Sequence, residues 1–187
     1  MEDLFKKNLQ RSPGWIQTIT KKKFCPMDPK TEDINITDIA ISLSRQCRFT
    51  GHTHRFYSVA EHSVRVCWLL PQYYKKWGLM HDAAEAYIGD MASPIKKLFP
   101  KFTEMEEKIQ EKIAERFGLN LPIPDEVAEL DLIMLATEKR DMMDPSEHEW
   151  GPLPDPASIT VEGWDWEESY AIFMMEFDKL FGPVNYY

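Results

Sequence analysis

The chain has 187 residues, 43% hydrophobic and 28% charged, with a formal net charge of −9. That is enough chain for a single domain with its own core, and the composition excludes a disordered protein. The acidic balance argues against a surface that wraps a nucleic-acid polymer. Cys25, Cys47 and Cys67 contain no C-x-x-C pairing and read as reduced, mostly packed thiols. No run is long and apolar enough to span a membrane, and Met1–Ser12 lacks the apolar core of a leader. A cytoplasmic location with no membrane partner is therefore expected.

Met1–Ser12 is polar and closes on the turn signal Pro13-Gly14. Trp15–Thr20 favours strand, and Lys21–Phe24 turns back, which predicts a small hairpin. Thr37 is the expected N-cap of a helix over Asp38–Gln46, with Ile39, Ala40, Leu43 and Cys47 on one face. Arg48–Arg55 is a loop dense in cationic and imidazole groups. Ser58 begins the next helix, with Glu61 in capping-box position and Val59, His62, Val66, Leu69 and Leu70 inward; Pro71 ends it.

Gly78–Asp90 follows, a helix apolar almost all round through Leu79, Met80, Ala83, Ala84, Ala86, Tyr87 and Ile88. Ser93–Lys97 is a connection. Phe102–Phe117 is amphipathic, with Met105, Ile109, Ile113 and Phe117 inward and Gly118 as its stop. A helix from about Asp125 to Met143 follows Pro122 and Pro124. Asp144–Gly163 is irregular, and Trp164–Phe181 is a last amphipathic helix using Trp166, Tyr170, Phe173, Met174 and Phe177. The chain reads as one all-α domain over 1–187, a helical bundle with a small β-hairpin near its N-terminus.

Within this bundle some polar residues occupy core positions. His81, Asp82 and Glu85 lie in the middle of the apolar stretch, with Glu85 at i+4 from His81 and i+3 from Asp82. A buried carboxylate needs a cation, a partner or a proton. His62 shares the stripe of Val59, Val66 and Leu69, and Asp131 lies between Val127 and Met134. Each taken singly has an ordinary structural explanation, a hydrogen-bonded core histidine or a buried ion pair. For Asp131, Asp125, Asp141 and Asp144 are alternatives, and the apolar stripe favours Asp131. Taken together, His62, His81, Asp82 and Asp131 supply two imidazole nitrogens and two carboxylates, a sulfur-free set suited to a divalent metal.

The order His62…His81-Asp82…Asp131 resembles the H…HD…D signature of the HD-domain metal-dependent phosphohydrolases. Phe56–Val64, His81–Glu85, Gly89-Asp90 with Pro94 and Lys96, and Leu130-Asp131 running into Leu135–Glu138 are similar to the YfbR-like 5′-deoxynucleotidase branch. That branch includes small dATP triphosphohydrolases of phages, and the likeness covers about residues 23–143. The resemblance implies an HD fold in which the four named residues hold the ion while Glu85 and Asp90 act beside it. The metal would be Zn, Co, Mn or Mg, and the substrate a small nucleotide, with dAMP and dATP the first guess. A homo-oligomer is also expected.

A metal held in this way polarises phosphorus and activates water. Glu85, one turn from the ligands, is the expected general base or acid. Asp90 would orient the water, protonate the leaving group or hold a second ion, its plain alternative being a turn aspartate. Arg48, His52, His54, Arg55, Lys96 and Lys97 are candidate phosphate donors, some of them simply solvated. Arg48-Phe49 stands where the branch has an Arg-aromatic pair that discriminates the sugar; there the aromatic is Trp, so Phe49 is smaller and lacks an N–H donor. The alternative function is a catalytically idle module that binds a nucleotide or a partner. A helical protein with buried ion pairs is a third possibility, and it requires no stoichiometric metal.

Overall fold

Ile16–Gln17 (β1) and Lys23–Phe24 (β2) pair antiparallel, Ile16 opposite Phe24 and Gln17 opposite Lys23. They open a computed structural model that describes residues 14–148 and 150–183; the polar segment Met1–Ser12 lies outside the described residues. The hairpin is anchored from below. Phe24 is fully buried and stacks on Tyr87 with ring centroids 4.0 Å apart. The Thr20 N–H and hydroxyl both donate to the Asp38 carboxylate, at 2.9 and 2.7 Å.

Helix α1 covers Ile36–Arg45. Its cap is Asn35, whose side chain accepts from the Thr37 N–H at 2.8 Å, two residues earlier than the expected Thr37 cap. Ile36, Ile39, Ala40 and Leu43 are buried, but Cys47 lies past the helix end and is exposed. Of the three thiols only Cys67 is buried, so the expectation of mostly packed cysteines does not hold.

Helix α2, Val59–Leu69, is the central element and is packed by α1 and by every longer helix except one. It therefore buries nine consecutive residues, Val59–Cys67, rather than a single stripe. Ser58 caps it by accepting from the Glu61 N–H at 3.1 Å. The reciprocal half of the expected capping box is missing, because the Glu61 carboxylate instead binds Arg65 and the Trp164 N–H.

The expected continuous helix over 78–90 is broken. Helix α3 is Lys75–Met80 and α4 is Glu85–Ile88, with His81–Ala84 forming turns between them. Through the break the amides bond three residues back rather than four: Ala83 to Met80, Glu85 to Asp82, Ala86 to Ala83 and Tyr87 to Ala84. This tighter winding turns successive side chains through larger steps than an α-helix does. Ser93–Lys96 is a short helix, α5, where a connection was expected. Pro100–Phe117 (α6) ends on Gly118 in the left-handed region at φ 64°, Asp125–Met142 (α7) follows, and Trp166–Phe181 (α8) is capped by Asp165.

No helix among the described residues is long and apolar enough to cross a membrane. The irregular segment between α7 and α8 is pinned by side chains of α7. Thr137 Oγ1 accepts from the Ala157 N–H, Arg140 donates to the Ala157 carbonyl and Asp141 accepts from the Val161 N–H. These bonds satisfy backbone groups that have no ladder of their own.

The approach of α3 to α2 depends on Gly78. A Cβ at this position would stand 2.4 Å from Leu70 Cδ1 and 3.0 Å from Cys67 Cα. Leu70 can turn aside, but the α2 backbone cannot. Gly78→Ala should therefore cost about 1–3 kcal/mol of stability through overpacking, read as a lower midpoint in urea with an unchanged slope.

Candidate metal site

His62 comes from the middle of α2, His81 from the first turn after α3, and Asp131 from the middle of α7. Their ligating atoms lie within 4.8 Å of one another, so the three form a group that could hold a metal ion. The two imidazole Nε2 atoms are 3.2 Å apart, and Asp131 Oδ1 is 3.0 Å from His62 Nε2. Asp82 flanks the group, its Oδ2 3.6 Å from His62 Nε2 and 3.3 Å from His81 Nε2. The three-residue group does not include it. Asp131 is half-open, with 40% of its side chain exposed, so the group is reached from the outside while His62 is sealed.

Both imidazoles are held from behind. His81 Nδ1 lies 2.9 Å from the Gly78 carbonyl. A carbonyl only accepts, so Nδ1 carries the proton and Nε2 faces the group with its lone pair. His62 Nδ1 lies 2.5 Å from Glu138 Oε1 in a fully buried contact. Metal-binding histidines show this arrangement, the far nitrogen tied to a carbonyl or carboxylate so that ring and tautomer are fixed.

Glu138 was not singled out by the sequence as a functional residue. It is fully buried and accepts from the Tyr57 hydroxyl at 2.7 Å and from Arg48 at 3.1 and 3.2 Å, besides holding His62. Burial alone would raise its carboxyl, but Arg48, His62 and Tyr57 outweigh that and keep it below the ordinary value. A signal existed: Tyr57 and Glu138 sit beside recognised positions, Glu138 two turns after Asp131. Glu138 shares the face of Val127, Asp131 and Met134, but a glutamate near the end of a helix reads equally as a solvated charge.

The imidazole and carboxylate of this group shift each other. Burial and the Arg48 guanidinium push the His62 imidazole down, yet Glu138 and Asp131 prevail and raise it to about 9. Asp131 moves the other way: burial opposes ionisation, but His62, His81 and Arg48 hold its carboxyl well below the usual range.

Glu85 begins α4 beside this group and is 5% exposed. Its Oε2 has no hydrogen-bond partner among the described residues, and its Oε1 is 3.8 Å from Lys96 Nζ. Burial, followed by the charges of Asp82 and Asp90, pushes its carboxyl well above the ordinary value. Burial likewise raises Asp90.

Gln46, also unrecognised in the sequence, ties this turn together. Its Oε1 accepts from the Asp90 N–H at 2.9 Å, and its Nε2 donates to the Glu85 carbonyl at 3.1 Å. Its own carbonyl accepts from the Val59 N–H, which begins α2.

The expected phosphate donors separate. Arg48 stands at the site as a cross-brace, two nitrogens on Glu138 and Nη1 3.6 Å from Asp82. Lys96 is at the rim, bound to Glu106 at 2.7 Å. His52 and Lys97 are exposed and make no side-chain hydrogen bond or ion pair among the described residues. His54 and Arg55 line a separate cavity of about 370 Å³ with Arg140 and Asp141. Phe49 follows Arg48 with φ at 54°, and Thr50 at 55° continues this left-handed run.

No family model matches the chain. It is 41% identical over 170 residues to uncharacterized protein YfdR of Escherichia coli (strain K12), covering 89% of this chain and 96% of that one. An uncharacterized protein of Rhodobacter capsulatus is 34% identical over 121 residues, 59% of this chain and 62% of its own length. Neither name states a reaction.

Replacing Glu138 by Gln keeps its shape but removes the charge that holds His62 Nδ1–H. Divalent-metal affinity should fall by roughly 10–100-fold, read by competitive titration against a metal-sensitive dye; unchanged affinity would make Glu138 a partner of Arg48 and Tyr57 alone.

Proposed function

We propose that this chain, which belongs to the YfdR family, is a metal-dependent phosphohydrolase of the HD-domain kind that acts on 5′-deoxynucleotides. The observation that carries the reading is the position of Glu85. An acid with an unpartnered oxygen is buried where it feels the charge of Asp82, the residue that flanks a group competent to hold a cation. Leaving a buried polar atom unpaired costs about 1–3 kcal/mol. A module that only binds gains nothing from that cost, whereas an enzyme gains a group free to move a proton.

The residues present fit a divalent ion. Two imidazole nitrogens and a carboxylate oxygen without sulfur suit Zn, Co, Mn or Mg, and both imidazoles are pre-oriented through Nδ1. His62, His81 and Asp131 would hold the ion, with Asp82 at its edge. Such an ion supplies Lewis-acid polarisation of a phosphoryl oxygen and a lowered pKa for water.

The chain's own groups complete the site. Arg48 Nη1, turned toward Asp82, places a fixed positive charge beside any phosphate entering there. Lys96 adds a second from the rim, at the cost of its Glu106 contact. Burial and the neighbouring charges of Asp82 and Asp90 favour the protonated Glu85 carboxyl, which would deliver its proton to a departing oxygen or, once ionised, accept one from water. Asp90 is held to the same turn by Gln46, so the two acids keep a fixed relation. The order of the site residues along the chain and the helical architecture are further support for this reading, and its preference for dAMP and dATP rests on resemblance alone.

The test is release of phosphate, pyrophosphate or triphosphate from a panel of nucleotides by metal-loaded protein. His81→Ala should lose metal and activity together. Glu85→Gln should keep metal while turnover falls by roughly 10²–10⁴. If Glu85→Gln turns over normally, the proton-transfer role passes to Asp90. If the unmodified protein releases nothing, the chain is the idle binding module.

A further inference from the structure

The segment between α7 and α8 returns one large side chain to the site. Trp150 packs against Phe49, ring centroids 5.7 Å apart and planes inclined by 50°. It remains 39% exposed. Lys139 Nζ stands 5.3 Å from the centre of the Trp150 ring, and Lys139 is the residue after Glu138. On the other side, the Arg48 guanidinium is 5.5 Å from the Phe49 ring and 3.6 Å from Asp82. The rings therefore form a continuous path, Trp150 to Phe49 to Arg48, ending at the metal-competent group.

The two rings come from segments about a hundred residues apart, and each is held by something other than the other ring. Phe49 sits in a left-handed turn, a conformation a bulky residue adopts only under constraint from its surroundings. The segment carrying Trp150 is tied to α7 farther along by Thr137, Arg140 and Asp141. A partly exposed aromatic ring, with a cation over it and an arginine beyond, suits a ligand that joins a flat π-system to an anionic group.

We infer that Trp150 and Phe49 form a nucleobase subsite, Trp150 stacking on the base of a nucleoside phosphate whose phosphate reaches Arg48 and the metal-competent group. Phe49, between the two, lies beside the sugar. This inference rests on the phosphohydrolase reading for its choice of ligand and supplies the base-recognition element that reading lacks. Stacking accepts any base, so the subsite gives affinity for nucleotides over other phosphate esters rather than selection of one base.

The test compares binding of each of the four common deoxynucleoside monophosphates with binding of 2-deoxyribose 5-phosphate, which has no base. Calorimetry on metal-depleted protein avoids turnover. Trp150→Ala should weaken nucleotide binding by roughly tenfold and leave the sugar phosphate unchanged; Trp150→Phe should recover most of the loss. Equal weakening of both ligands would mean that Trp150 only supports its segment, and unchanged nucleotide binding in Trp150→Ala would mean that it stacks on nothing. Either result overturns the subsite, as does failure of the unmodified protein to bind any of the four nucleotides. Base-dependent binding by a protein that releases no phosphate would retain the subsite and reject the hydrolase.

Discussion

Glu138 is sealed from water, and a charge there persists only because three donors converge on it. His62 comes from the central helix, Tyr57 from the residue before its cap, and Arg48 from the loop that precedes it. One carboxylate on α7 thus fixes the relation of three segments whose side chains make the site. The dependence is mutual. Arg48 is nearly buried and would be an uncompensated charge without Glu138, and His62 would lose the contact that sets its tautomer. The orientation of the His62 Nε2 is therefore a consequence of a fully buried contact on the far side of the ring.

The second constraint is the broken helix at 80–85. In a regular α-helix Glu85 would stand one turn above His81, offset by about 40°. Three-residue winding through Asp82–Tyr87 instead aligns Glu85 with Asp82, while His81 turns back to the Gly78 carbonyl. It also brings Glu85 into a buried position with one oxygen unpartnered. Gln46 then bonds both the Glu85 carbonyl and the Asp90 amide, which stops so short a helix from fraying. Four residues with two external tethers keep a geometry that a four-residue helix alone would not hold.

The helices were legible because their apolar periodicity is strong. Val127 and Met134, Ile109 and Ile113, and Phe173 and Phe177 are all buried as their spacing requires. His62, His81 and Asp131 were legible for the opposite reason, being polar residues on apolar faces. What the sequence could not convey was connectivity across the bundle. Glu138 reads as one more charge on a helix rich in charge, and Gln46 as a residue at a helix end. Their roles arise from partners 76 and 39 residues away. The break after Met80 was hidden because Ala83, Ala84 and Ala86 favour helix; what overrides that preference is the tertiary hold on His81 and Glu85. Arg48 could be placed at the site but not described, since its capacity is largely taken by Glu138.

The same central helix shows what an ordinary buried ion pair looks like in this protein. One residue before His62, Glu61 binds Arg65 at 2.7 Å and accepts the Trp164 N–H at 2.7 Å, while the Arg65 guanidinium lies 4.7 Å from the Trp164 ring centre. Every oxygen of that carboxylate is used, Arg65 stacks on the ring, and the cluster closes on itself. It secures the start of α8 and has nothing left to offer. The His62 cluster differs in kind. Its imidazole nitrogens converge with the edges of two carboxylates that keep 20% and 40% of their side chains exposed, and a third acid nearby has an unpartnered oxygen. A cluster whose purpose was stability would resemble the first, since unused polar capacity in a low-dielectric interior only costs. Unused polar capacity is what marks the second cluster as the candidate site and the first as a brace, on adjacent residues of one helix.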